Sequence, residues 1–166
     1  MITRIKPSVI RIMATGALLI ALAASVFYML SDKTQHLLLI NERTGKLLYE
    51  VEAIDGTEFS IVYIHSVNKS PVTEYYQVID GQIYLIALRY ASFGAGMPTE
   101  LTEGLVMSRE NDSILITGYD RHIPYLCYVI SRIDGHSLDI GGVSTALNTL
   151  DKPGEQILFV INQRGG

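Results

Sequence analysis

His65 and Ser66 stand side by side in this chain, and a carboxylate follows at Glu74. An imidazole titrates near neutral pH and can serve as acid, base or ligand, and a carboxylate beside it would hold its tautomer. Ser66 is not expected to be activated by His65, because neighbours along a strand point to opposite faces. A third feature is the turn Ser92-Phe93-Gly94-Ala95-Gly96-Met97-Pro98. It is no phosphate cradle, since it lacks the Lys-Ser/Thr pair and nothing downstream reads as the capping helix. Gly94 and Gly96 permit unusual backbone angles and close approach of a ligand or another chain. The expected site is a ligand or partner contact formed by His65, Ser66, Glu74, Ser92, Gly94, Gly96 and Pro98, with no catalytic residue assigned. The plainer reading is that His65 and Glu74 bond each other, or loop amides, and only fix a connection.

The elements that must position these groups read as strands. Phe59, Ile61 and Tyr63 alternate with Ser60, Val62 and Ile64, and β-branched and aromatic residues favour strand over helix. The Asn68-Lys69-Ser70-Pro71 stretch reads as a loop, because Pro71 lacks a backbone donor and pushes Ser70 extended. Glu74–Ile79, the tight Asp80-Gly81 turn and Gln82–Arg89 make the clearest hairpin. If the Phe59 strand pairs with the Glu74 strand, His65 ends one where Glu74 opens the other. Arg89 to Ser92 then return to that end, so the whole set is predicted to converge there.

The remaining runs have the same character. Leu37–Ile40 and Lys46–Ala53 flank Asn41–Gly45 as a hairpin, and Asp55-Gly56 marks the next turn. Ile114–Thr117, Tyr125–Ser131, Ser137–Ile140 and Ile157–Asn162 read as further strands, and Val143–Leu150 as a short helix or a strand. The spacing predicts an all-β domain, an antiparallel β-sandwich or small barrel.

Composition narrows the function classes. The net charge is −4, with no basic stripe, so no nucleic-acid partner is expected. The single cysteine, Cys127, excludes an intrachain disulfide and reads as a small buried hydrophobe in an apolar run. His36, His65, His122 and His136 are scattered without ligand spacing, and Glu110-Asn111-Asp112 lacks the periodic oxygens of a calcium loop. No metal and no cofactor are expected.

The run from Ile12 to Leu30 carries no charge. As a helix it would be roughly 28 Å long, close to the hydrocarbon thickness of a bilayer. Arg4, Lys6 and Arg11 precede it, which predicts a cytoplasmic N-terminus over residues 1–11, a membrane anchor over 12–30, and an extracytoplasmic β domain over 35–166. The small residues of Ala21-Leu22-Ala23-Ala24-Ser25 also permit a cleaved signal peptide. Cleavage there would leave Val26–Leu30 as an exposed apolar tail, which favours the uncleaved anchor. Both readings export the domain.

Three motifs taken together, His65-Ser66-Val67, Pro71-Val72-Thr73-Glu74 and Ser92–Pro98, resemble those of a bacterial and archaeal domain of unknown function, the family numbered 1850. The resemblance supplies no reaction. It implies association with TAXI-type TRAP transporters of small organic acids or amino acids. The partners it implies are a TRAP membrane subunit or a TAXI substrate-binding protein, beside the bilayer itself. The expected function is therefore a non-catalytic, membrane-anchored accessory or binding module on the outer face of the membrane. Two alternatives stand beside it. One is an extracytoplasmic hydrolase using His65 and Glu74 as acid and base. The other is a free-standing module that captures a carboxylate on the amides of the Gly94 turn.

Overall fold

The computed structural model describes residues 20, 22, 35–91, 101–132 and 135–163. Ile20 and Leu22 are helical and exposed. The rest of the expected anchor lies outside the described residues, among which no helix is long and apolar enough to cross a membrane.

Between residues 35 and 163 the described residues form eleven strands and one turn of 3-10 helix, Leu147–Thr149. The strands are β1 (Gln35–Asn41), β2 (Leu47–Glu52), β3 (Glu58–Ile64), β4 (Pro71–Ile79), β5 (Gln82–Tyr90) and β6 (Val106–Glu110). They continue as β7 (Ser113–His122), β8 (Leu126–Val129), β9 (Ser137–Ile140), β10 (Val143–Ala146) and β11 (Gln156–Gln163). All pair antiparallel, in a four-stranded sheet of order β2-β1-β11-β8 and a seven-stranded sheet of order β10-β9-β3-β4-β5-β7-β6.

Alternation explains why two sheets face each other. In β1, Gln35, Leu37, Leu39 and Asn41 are buried while their neighbours are half-buried. In β4 the inward set is Val72, Glu74, Tyr76 and Val78, three of them buried and Glu74 half-buried. Leu37, Leu39, Leu126, Ile157 and Phe159 of the small sheet join Phe59, Ile61, Tyr76, Val78, Leu138 and Ile140 of the large sheet in one apolar core. A β-sandwich results, not a barrel. The large sheet carries a second apolar cluster on the same face, Val72, Leu88, Tyr90, Ile114 and Ile116, packed by Tyr63, Leu105, Met107 and Tyr119. No residue of the small sheet belongs to that cluster, so the inner face of the large sheet extends past its partner.

Local chemistry sets the hairpins. Asp80 (φ 51°) and Gly81 (φ 71°) both adopt the left-handed angles that a two-residue hairpin turn demands. The sequence reading missed β6, whose residues are exposed except half-buried Met107, so no alternation marks it. Glu110-Asn111-Asp112 closes the β6–β7 hairpin, with Asn111 at φ 54°. Val143–Leu150 is both expected things in succession: a short strand, then a helical turn.

Candidate functional site

β3 and β4 pair from Glu58↔Gln77 to Ile64↔Pro71, and residues 65–70 connect them. Within that loop the His65 amide donates to the Ser70 carbonyl and the Lys69 amide to the His65 carbonyl, each at 2.9 Å. Lys69 adopts φ 52° to close the turn. Nδ1 of His65 accepts the amides of Val67 and Asn68, both at 3.2 Å. An accepting Nδ1 puts the proton of the neutral ring on Nε2. Nδ1 of His65 thus braces its own loop. Ser66 is exposed in the same turn.

Glu74 goes elsewhere. β4 begins at Pro71, so Glu74 is not the first residue of its strand, and its cross-strand neighbours are Ile61 and Leu88. Ile61 precedes His65 by about 13 Å of extended chain. The structure does not bring His65 and Glu74 together. The chain does leave β5 beside the His65 loop, since Tyr90 pairs with Val72 at that end. Ser92, Gly94, Gly96 and Pro98 lie outside the described residues.

Tyrosines surround Glu74. The Tyr76 hydroxyl donates to Oε2 at 2.8 Å, and the Tyr128 hydroxyl donates to the same oxygen. The two hydroxyls are 2.9 Å apart. Tyr63 donates to Oε1 over a longer 3.4 Å. Tyr63 and Tyr76 flank Glu74 on the large sheet. Tyr128 comes from β8, the edge strand of the small sheet, and points inward because its register partner Ile157 does. The cluster therefore crosses from one sheet to the other.

A carboxylate placed between Ile61 and Leu88 is costly unless its oxygens are hydrogen-bonded. The three hydroxyls meet that cost. Burial, and then the negative Glu74, push the phenols of Tyr63, Tyr76 and Tyr128 far above their ordinary 10.0, so all three remain protonated donors. β-bulges at Tyr75/Tyr76 and Leu85/Ala87 distort the large sheet beside this point, and bulges re-aim side chains.

His136 completes the corner. Its ring meets Tyr63 edge-on, with centroids 6.1 Å apart. Burial lowers its pKa, and a hydrogen bond to the Val129 backbone opposes that shift. Its Nδ1 is buried and has no hydrogen-bond partner among the described residues. Tyr63 also meets Tyr128 at 6.1 Å, and Tyr128 meets Phe159 at 5.8 Å. Among the described residues no group of three His, Cys, Asp or Glu side chains is placed to hold a metal.

Residues 59–147 match the model of the domain of unknown function DUF1850, more than half of the chain. The chain belongs to that family. The DUF1850 match runs from Phe59 on β3 to Leu147 after β10, so it holds all but the first residue of the seven-stranded sheet, and β8 as well. β1, β2 and β11, the rest of the small sheet, lie outside it. Glu74, Tyr63, Tyr76, Tyr128 and His136 are all inside the DUF1850 span. No curated protein and no solved structure matches the chain.

Sequence reasoning placed Glu74 at the sheet end and missed its tyrosines. One signal was available: Val72, Glu74, Tyr76 and Val78 share a parity, which sets the carboxylate on the apolar face. Nothing comparable pointed to Tyr128, which lies in another sheet.

Proposed function

We propose that this DUF1850 chain is a non-catalytic, membrane-anchored module on the outer face of the membrane. Its partner is a TAXI-type TRAP transporter of small organic acids or amino acids, engaged through the membrane subunit or the TAXI substrate-binding protein. The observation that carries the non-catalytic part is the separate employment of His65 and Glu74. The imidazole accepts its own loop amides, and the carboxylate is held by hydroxyls from both sheets. A hydrolase would need the two within hydrogen-bond reach, with a third group orienting the base. The location rests on the uncharged run 12–30 behind Arg4, Lys6 and Arg11. The transporter partner rests on the motif resemblance. The test is recovery of the full-length protein from membranes with identification of what co-purifies. A TRAP membrane subunit or TAXI-type binding protein is expected. Recovery in the soluble fraction, or alone from membranes of cells that express such a transporter, refutes the reading.

A further inference from the structure

Among the described residues Glu74 is a half-buried bonded carboxylate with no cation, whereas Glu42 and Asp55, bonded by Tyr125 and by the Gly81 amide, are exposed to water. Glu155 is paired with Arg43 at 2.8 Å and Glu110 with Arg89 at 2.9 Å. Asp151 is bonded by Asn41 and lies in the field of Lys46 and Lys152. Glu74 stands half-buried on the inner face of a sheet, yet among the described residues it receives only neutral hydroxyls. A partly desolvated anion without a counter-charge attracts one.

The unfilled capacity of the corner has a definite sign. Oε2 has two close donors, whereas Oε1 has one at 3.4 Å and keeps lone-pair room. The phenol protons of Tyr76 and Tyr128 are already committed, so the corner offers an incoming group acceptors rather than donors. Tyr63 and Tyr128 add ring faces, which attract cations. Glu74, Tyr63 and Tyr128 are each partly exposed, at the border where the large sheet extends past the small one. A donor-only cation that can also lie on an aromatic ring satisfies every one of these features. An anion satisfies none, and with one carboxylate as the only charged oxygen ligand among the described residues the corner suits a hydrogen-bonding organic cation better than a metal ion.

We infer that Glu74, with the rings of Tyr63 and Tyr128, is a receptor for a protonated amine. The amine is either a free small molecule or the lysine side chain of a partner. The assignment does not depend on the transporter association, because the test uses free amines.

The full-length protein in detergent is titrated with propylammonium chloride, with sodium chloride at equal ionic strength as the reference. The chain has ten tyrosines, three of them at Glu74, and no tryptophan, so tyrosine difference absorbance and emission follow the cluster without a tryptophan background. A saturable change with propylammonium is expected, absent with sodium. Its midpoint should rise at least about tenfold in Glu74→Gln, which removes the charged acceptor. Tyr63→Phe, which keeps the carboxylate and the ring, should bind within a few-fold of the parent. Tyr63→Leu should bind more weakly, and this pair carries the test if Glu74→Gln fails to fold. Tighter binding of Nα-acetyl-lysine amide than of propylammonium identifies the lysine source, and the reverse order a free amine. The inference is overturned by the absence of saturation, by an equal response to sodium, by an unchanged midpoint in Glu74→Gln, or by equal midpoints in Tyr63→Phe and Tyr63→Leu.

Discussion

Tyr128→Phe removes a single oxygen, and the geometry says what should follow. That hydroxyl carries a hydrogen bond from the edge strand of the small sheet to a carboxylate on the large sheet. A hydrogen bond to a charged group is worth about 1.5–3 kcal/mol net. Tyr76 still donates to the same Oε2 at 2.8 Å, so the oxygen is not orphaned and the lower part of that range, about 1.5–2 kcal/mol, applies. For a domain of about 130 residues this lowers the unfolding midpoint by roughly 3–10 °C. Tyr76→Phe alone should cost a similar amount, because Tyr128 then serves Oε2. The double variant strips both donors and leaves Oε2 of a half-buried carboxylate unbonded. Its loss should exceed the sum of the single losses by about 0.5–3 kcal/mol. Thermal unfolding of the full-length protein in detergent, followed by far-ultraviolet circular dichroism, measures all three. Single losses below about 0.5 kcal/mol, or losses that simply add, would mean that water bonds Glu74 as well as the tyrosines do.

Stability should fall as pH rises above the ordinary tyrosine value of 10.0, because all three phenols are raised in the folded state and hold protons that the unfolded chain releases. Each Tyr→Phe change in the cluster should flatten that alkaline limb, and equal slopes in parent and variants would refute the assignment. On the acid side, Asp151 is lowered by the Lys152 amide and Asn41, and Glu155 by Arg43 and Asn41. Their stabilisation is present above the ordinary carboxylate range and is lost as pH falls through their lower folded values, so Arg43→Gln should reduce the acid slope. Gly118→Ala combines φ +89° with a Cβ only 2.4 Å from the Gly104 carbonyl oxygen, and should lower stability by more than about 1 kcal/mol in the same melt. A reporter active only in the cytoplasm, fused after Gly166, should be silent if the anchor orients as Arg4, Lys6 and Arg11 imply.

The sequence by itself determined the class of fold, because strand and turn signals are local. Phe59, Ile61 and Tyr63 alternate against polar or outward neighbours, and Asp80-Gly81 accepts two left-handed residues in succession, so both features act over a few residues. The parity of Glu74 with Val72 and Tyr76 was equally legible. Edge strand β6 was not, since a strand with little to bury need not alternate. His65 looked like half of a site on residue type alone. What its Nδ1 bonds was decided by the fold of its loop, where Lys69 turns left-handed and the Val67 and Asn68 amides meet Nδ1. The partner of Glu74 was decided still farther away. Tyr128 is 54 residues along the chain and in the other sheet. Which side chains meet across a sandwich depends on how two sheets pack, and alternation within either strand carries no record of that.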